Sequence, residues 1–333
     1  MDLPIFDNLF TQVQIPETGI QIDYTKNLAF FGSCFAQNMA QKFSNLKFNM
    51  LANPFGTLYN PRSIEKVITA IATSKTYGEQ DAFPDSDKWV SWDTHSSLSR
   101  SSRQEFIENL NATVSDSRNF LAKADVAFIT LGSAYVYFLK ENGEVVANCH
   151  KQNAGLFNRR LIDVAEAARS LKNIVQTLKA LNPDINVVFT VSPLRHLKDG
   201  AHGNNLSKST LLLAVDQVVS ADPATSSYFP SYEIVMDELR DYRFYDSDMV
   251  HLTDLAESII FEHIRAAYFS KETVENARQV EAFMKAAQHR VVNAESSRTR
   301  DFAQKHIDRA RDLMDKIPGL NLLPEIQYFK LFL

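Results

Sequence analysis

One serine and one aspartate–histidine couple are the residues of this chain whose types and spacing point to chemistry. Ser33 follows Gly32 at the end of the apolar run Leu28-Ala29-Phe30-Phe31, and Phe35, Met39 and Phe43 follow at helical spacing. Four apolar residues in a row suit a strand covered on both faces, so Gly32 and Ser33 stand in a strand-to-helix turn. A serine there is expected to have its hydroxyl in solvent and its backbone N–H at a helix N-terminus. Those are two needs of acyl chemistry, an exposed nucleophile and a donor aimed at a developing oxyanion. Far downstream, Asp248 and His251 precede a helix whose apolar stripe is Ala256, Ile259, Ile260, Ile264 and Ala267. An imidazole in that loop could take the serine proton, while a carboxylate three residues earlier holds its other nitrogen and fixes the tautomer. The plainer readings are that Ser33 only caps its helix, serine being a favoured N-cap, and that Asp-x-x-His is coincidence.

These groups need a framework to position them, and composition bounds it. The chain has 333 residues, 45% hydrophobic and 23% charged, which describes an ordinary globular protein long enough for one large α/β domain plus an appendage. A net charge of −5 without a long basic run gives no reason to expect nucleic acid as a partner. The first residues, Met1 to Asp7, show neither a basic nor an apolar leader pattern, and no later segment holds eighteen apolar residues in succession. A cytoplasmic protein with no membrane contact is the expectation. Two cysteines, Cys34 and Cys149, are too few for a disulfide framework or a structural zinc site, and the histidines lack ligand spacing, so neither metal nor cofactor is expected. Cys34 remains a rival nucleophile, since a thiolate at a helix N-terminus is activated.

Taken in order, residues 1–24 read as a lead-in broken by Pro4 and Pro16, packed along the outside of the sheet. Asn53 to Pro61 is a loop of turn residues, with Asn60 and Pro61 as N-cap and first position of a helix carrying Ile64, Val67, Ile68 and Ile71. Between Tyr77 and Arg103 no clean periodicity runs, but Trp89, Trp92 and His95 fall close together, which suggests an ordered loop over the site. Its aromatic surface could stack on a sugar ring or hold an acyl chain, with Trp92 and His95 as substrate contacts. A helix around Phe106 to Val114 leads to a strand, Ala124 to Leu131, that ends on Gly132. Asn142-Gly143 is a hairpin signal, and Asn148-Cys149-His150 either ends that hairpin or reaches the substrate. A helix over 161–181 delivers the strand Val187 to Val191, from whose end Arg195 and His196 emerge. Ligands of open α/β sheets gather at such ends, so both are candidate substrate contacts, Arg195 for a carboxylate or phosphate. A helix around Leu211 to Val219 precedes Tyr228 to Val235, read as the last strand. Beyond residue 270 only helical spacing remains, in two helices split by the polar stretch from Asn293 to Arg298 and stopped by Pro318-Gly319.

Strands alternating with helices imply a parallel sheet with helices on both faces. The blocks at Gly32-Ser33-Cys34-Phe35-Ala36 and Asp248-Met249-Val250-His251, with their places in the chain, resemble the GSCFA family, a branch of the SGNH (GDSL-like) hydrolases. The resemblance covers residues 25–270. It implies a three-layer α/β/α, SGNH-hydrolase-like (flavodoxin-like) fold over residues 1–270, with a helical C-terminal extension over 271–333. It implies Ser33, Asp248 and His251 as the triad, and favours Ser33 over Cys34 as nucleophile. Its oxyanion donors would be the Ser33 amide and the second-block glycine, which matches Gly56, although Gly56 could equally serve only the turn. The third block's asparagine is missing, because the sequence runs Gly132-Ser133-Ala134; Asn148 is the substitute, with His150 as a substrate contact or second substitute. The expected activity is hydrolysis of a small-molecule or carbohydrate ester, an O-acyl or O-acetyl group, through an acyl-enzyme on Ser33. An O-acyltransferase or a catalytically silent carbohydrate-binding module are the alternatives, and the C-terminal helices are a candidate oligomer contact.

Overall fold

A computed structural model describes residues 11–287 and 296–333. Its centre is a five-stranded parallel sheet of β1 (Asn27–Gly32), β2 (Asn49–Ala52), β3 (Val126–Leu131), β4 (Asn186–Val191) and β5 (Ser226–Tyr228). In space they run β2-β1-β3-β4-β5, the flavodoxin-like order, with Gly32 paired to Thr130 and Thr130 to Thr190. The chain therefore reverses direction across the sheet between β1 and β3, and the crevice at that switch point is where such folds bind ligands.

The apolar runs that marked β1 and β3 are buried on both faces, as a covered parallel sheet demands. Leu28, Phe30, Val126 and Phe128 pack on one side with α1 (Cys34–Asn45) and, further on, the helix Asp254–Tyr268. On the other side Ala29, Phe31, Ala127 and Ile129 meet α2 (Pro61–Ala72), α3 (Arg103–Leu121), α4 (Val164–Leu181) and α5 (Gly200–Ala221). The helix Asp254–Tyr268 is α6. Each fully buried side chain of this size contributes about 1.5–3 kcal/mol, and the Phe43 ring alone touches Phe30, Phe128 and Phe261. Asn60 caps α2 through the Ser63 N–H at 2.8 Å. This is the expected three-layer α/β/α class.

After α6 the chain continues in α7 (Lys271–Ala287), α8 (Ser297–Lys316) and α9 (Leu323–Lys330). Ala277, Val280, Ile307, Leu313 and Phe329 extend the α1–α6 core, so the extension is packed on that layer rather than hung from it. Among the described residues no helix is long and apolar enough to cross a membrane.

Several elements differ from expectation. The edge strand β2 and helix α9 carry too little pattern to be seen. The run Tyr228–Val235 is strand only to Tyr228: Pro230 has no N–H to donate to the sheet, and a helical turn at Ser231–Glu233 passes into a π-helical one at Ile234–Glu238. The helix expected from Leu161 starts at Val164, because Phe157–Leu161 pairs with Tyr135–Leu139 in a small antiparallel sheet. Within 77–103 a short hairpin, Phe83–Asp85 with Lys88–Val90, gives the loop a frame. In the lead-in, Ile22 bonds the end of α6 through Tyr268 O at 2.8 Å, whereas residues 1–10 lie outside the described residues. So does part of the polar break before α8, residues 293–295.

Candidate active site

At the end of β1 the backbone turns sharply. Gly32 has φ +141°, and a Cβ there would stand 2.1 Å from Thr130 O, so only glycine lets β1 lie against β3 at this point. Its N–H donates to Asn53 Oδ1 and its carbonyl accepts from Leu58 N–H, both at 2.8 Å. Ser33 then occupies the N-cap position of α1, yet its hydroxyl caps nothing. Its Oγ is buried with no hydrogen-bond partner, and the residue is 1% exposed. The expectation of a solvent-exposed hydroxyl is thus corrected, the turn being tied through Gly32 to Asn53 and Leu58 of the following loop. The Ser33 N–H makes only a long contact, 3.4 Å, to Thr130 O, so this donor is weakly engaged.

Asp248 and His251 are hydrogen-bonded to each other. Asp248 Oδ2 meets His251 Nδ1 at 2.5 Å, and its other oxygen accepts the N–H groups of Val250 and His251 at 2.9 Å. These bonds to the charged form, that to the imidazole first, hold the Asp248 carboxyl down at about 2. The couple is about half exposed. It sits at the start of α6, whose Glu257 accepts from Asn38 Nδ2 of α1 at 2.5 Å, so the two helices begin at the same edge of the sheet. His251 makes no hydrogen bond to Ser33, whose Oγ has no partner at all. The Asp248–His251 bond is thus present and a Ser33–His251 bond is not.

The loop after β2 runs beside Ser33. Gly56 has φ +80°, donates its N–H to Asn53 O at 2.7 Å, and would place a Cβ 2.2 Å from His95 Cβ. Its amide is committed to the turn, so the oxyanion role expected for it gives way to a conformational one. His95 bonds Phe55 O through its backbone N–H (2.8 Å) and caps a short helical turn through Nδ1, which accepts from Ser97 N–H at 3.2 Å. Trp92 lies on Phe83 with ring centroids 3.9 Å apart. Its carbonyl accepts from Ala147 N–H at 2.8 Å and Asn148 N–H at 3.4 Å. Asn148 Oδ1 accepts from His150 N–H (2.9 Å), a local turn bond of the kind asparagine favours. His150 is 3% exposed and donates through Nε2 to Ser91 O at 2.8 Å, while burial pushes its imidazole below the usual range. Asn148 and His150 therefore tie the hairpin to the Trp92 loop, and neither presents its engaged atoms to Ser33.

Beyond β3 and β4 lies a part of the site that the sequence did not disclose. Tyr59 O accepts the N–H groups of Gly132 (2.8 Å) and Ser133 (2.7 Å), while Tyr59 OH and Cys34 Sγ are 3.3 Å apart. Burial, with Cys34, pushes the Tyr59 phenol up to about 12. Ala134, in the place of the absent asparagine, donates its N–H to Ser207 Oγ at 2.7 Å. Lys208 is 1% exposed and donates to the carbonyls of Gly132 (2.7 Å) and Ser192 (2.6 Å), clamping the ends of two neighbouring strands. Burial, and Arg195 secondarily, pull its ammonium down to about 7. In sequence the lysine falls in step with Leu211 and Val215 on the buried face of a helix, a position that shows its burial but not its carbonyl partners.

His196 follows β4. Its ring stands edge-on to Tyr59 with centroids 5.6 Å apart, and Nε2 lies 3.4 Å from where a Cβ on Gly132 would be. That nitrogen is buried without a partner, and burial first, then Lys208, lower the imidazole to about 4. The His196 N–H donates to Asn204 Oδ1 at 3.0 Å. Arg195 contacts Asn205 Oδ1 (3.3 Å) and Met236 Sδ (3.2 Å) and has no carboxylate partner among the described residues. The structure thus brings Ser33, Tyr59, Gly132 and His196 to one edge, sets the Asp248–His251 couple beside it, and leaves Trp92, His95, Asn148 and His150 as a layer joined through Gly56.

Several solved structures resemble the chain at low identity. A carbohydrate esterase family 3 protein from Talaromyces cellulolyticus is 9% identical, with 76% of this chain and 98% of that one covered at a TM-score of 0.36. A family two carbohydrate esterase from Clostridium thermocellum is 13% identical over 74% and 64% of the two chains, TM-score 0.36. An acetyl xylan esterase from the rumen bacterium Butyrivibrio proteoclasticus is 10% identical over 74% and 65%, TM-score 0.35. No curated protein matches the sequence. The model of the GSCFA family matches residues 27–264, from the first residue of β1 into α6, and that of the GSCFA C-terminal domain matches residues 280–333. The match runs through both the Gly-Ser turn and the Asp–His couple, and the chain belongs to the GSCFA family.

Proposed function

We propose that this protein is a serine-dependent ester hydrolase of the SGNH type. One observation carries the reading: an unbonded Ser33 hydroxyl in a strand-to-helix turn shares a sheet edge with an aspartate–histidine couple already joined at 2.5 Å. Asp248 holds His251 Nδ1, leaving Nε2 to take the Ser33 proton as Oγ attacks an ester carbonyl and to return it to the departing alcohol. The Ser33 N–H, weakly held, receives the oxyanion. Closing the Ser33–His251 gap accompanies substrate binding, since catalytic hydrogen bonds often tighten only in the complex. Water then releases the acyl group; an alcohol in its place would make an O-acyltransferase of the same site. Trp92 and Phe83 offer a flat surface for a sugar ring, Arg195 an unpaired guanidinium for a substrate anion, and an O-acylated carbohydrate or metabolite suits both.

The buried, unengaged serine favours a second reading, a silent carbohydrate-binding module. Turnover of 4-nitrophenyl acetate separates the two. The hydrolase reading expects turnover that disappears in both Ser33→Ala and His251→Ala with the fold retained. A folded wild-type protein without turnover on this or a panel of acetylated sugars supports the module.

A further inference from the structure

The third oxyanion donor is absent from its usual strand end, and another buried group stands over the same place. We propose that His196 donates the side-chain hydrogen bond to the oxyanion, through Nε2, with Asn204 as the residue that positions it; this rests on the serine-hydrolase reading above. β1 and β3 are neighbours with Gly32 paired to Thr130, so Ser33 and Gly132 each follow the last residue of adjacent parallel strands and leave the sheet at the same end. His196 Nε2 lies over Gly132, buried and without a partner. Ser33 Oγ is likewise buried and unpartnered. Buried polar atoms are almost always satisfied, so two orphans at the same end of the sheet are atoms to which a ligand can supply the missing bonds.

The residue is held at its backbone and at its ring. Its backbone N–H is fixed by Asn204 Oδ1, its ring lies against Tyr59, and Tyr59 O in turn anchors the amides of Gly132 and Ser133. Asn204 is 2% exposed, and its Nδ2 is a further buried donor without an acceptor beside the same loop. The groups acting on the ring are Lys208, Arg159 and His251, which oppose its protonation, and Asp199, which favours it; burial outweighs them all. A ring that stays neutral is a donor that does not compete with His251 for the serine proton.

The test uses the full-length protein with 4-nitrophenyl acetate and reads kcat and KM separately. His196→Ala should lower kcat by about 10²–10³ with KM little changed, the size of losing one oxyanion donor. His196→Gln, which keeps an amide N–H on a side chain of similar reach, should recover at least tenfold of that loss, and the acid limb of the kcat/KM profile should stay where the wild type has it. Asn204→Ala should lower kcat while leaving that limb unmoved, and it decides the matter if His196→Ala does not fold. A kcat within twofold of wild type in folded His196→Ala overturns the assignment, as does an acid limb that disappears with the imidazole, which would make His196 the base. Ser33→Ala run alongside separates the readings: turnover retained there removes the hydrolase itself, whereas turnover lost there but kept in His196→Ala removes only the role of His196.

Discussion

Replacing Gly32 by alanine puts a methyl group into the closest backbone approach at the site. The new Cβ would lie 2.1 Å from Thr130 O and 2.9 Å from Thr130 C, where ordinary contact begins near 3.4 Å. The obstacle is the backbone of a central strand, so relief must come from β1 itself. Moving its end breaks the Gly32–Thr130 register and strains the 2.8 Å bonds that Gly32 makes to Asn53 and Leu58. Two lost hydrogen bonds cost about 1 kcal/mol each, and a φ of +141° costs a non-glycine residue a further 1–3 kcal/mol or so. Gly32→Ala should therefore lose about 3–5 kcal/mol, a large part of the 5–15 kcal/mol typical of a folded protein. Guanidinium unfolding should show the midpoint falling with its slope unchanged, and the residual folded fraction should turn over poorly because Ser33 has moved. A loss below about 1 kcal/mol would refute the reasoning, since it would mean that β1 and β3 are not in contact at this turn.

Other outcomes follow from the same geometry. Gly56→Ala should destabilise by about 1–3 kcal/mol from its backbone conformation alone, with the 92–96 loop displaced because the new methyl meets His95, as read by denaturation and tryptophan fluorescence. Asp248→Asn should cut kcat by about 10⁴ at pH 7, the scale for losing a triad carboxylate. Its carboxyl is held at about 2 by His251, so the stabilisation from the couple is present above pH 3.8 and is lost as pH falls toward 2. Lys208 acts in the same sense at higher pH: burial lowers it from 10.5 to about 7, so unfolding takes up a proton between those values and stability rises there by up to about 1.4 kcal/mol per pH unit. Lys208→Met should flatten that slope in urea midpoints measured from pH 7 to 10, and an unchanged slope would show that the ammonium is hydrated.

What could be read in advance follows from how local each signal is. Leu28 to Phe31 ending on Gly32 is a strand and a turn in one stretch, and Asn60-Pro61 fixes a helix start, because both rest on neighbours in sequence. The edge strand Asn49–Ala52 has four residues and no alternation to betray it. Pro230 ended a strand that composition alone would have continued. Phe157–Leu161 alternates in burial, yet its apolar ends merged with the stripe of α4. Within the site, the serine and the aspartate–histidine couple are legible because their chemistry is carried by residue type. Tyr59, Lys208 and Asn204 are not, because what they do depends on carbonyls and amides that only the folded sheet brings within 3 Å. The same holds for Gly56 and His150, whose residue types suggested chemistry and whose bonds turn out to hold loops together.

The most direct test of the central claim is covalent labelling of the folded protein with a fluorophosphonate, followed by peptide mapping in a mass spectrometer. The account predicts a single adduct on Ser33, formed far more slowly in His251→Ala. A folded protein that takes no adduct, or takes it on Cys34 in the presence of an intact Ser33, would contradict it.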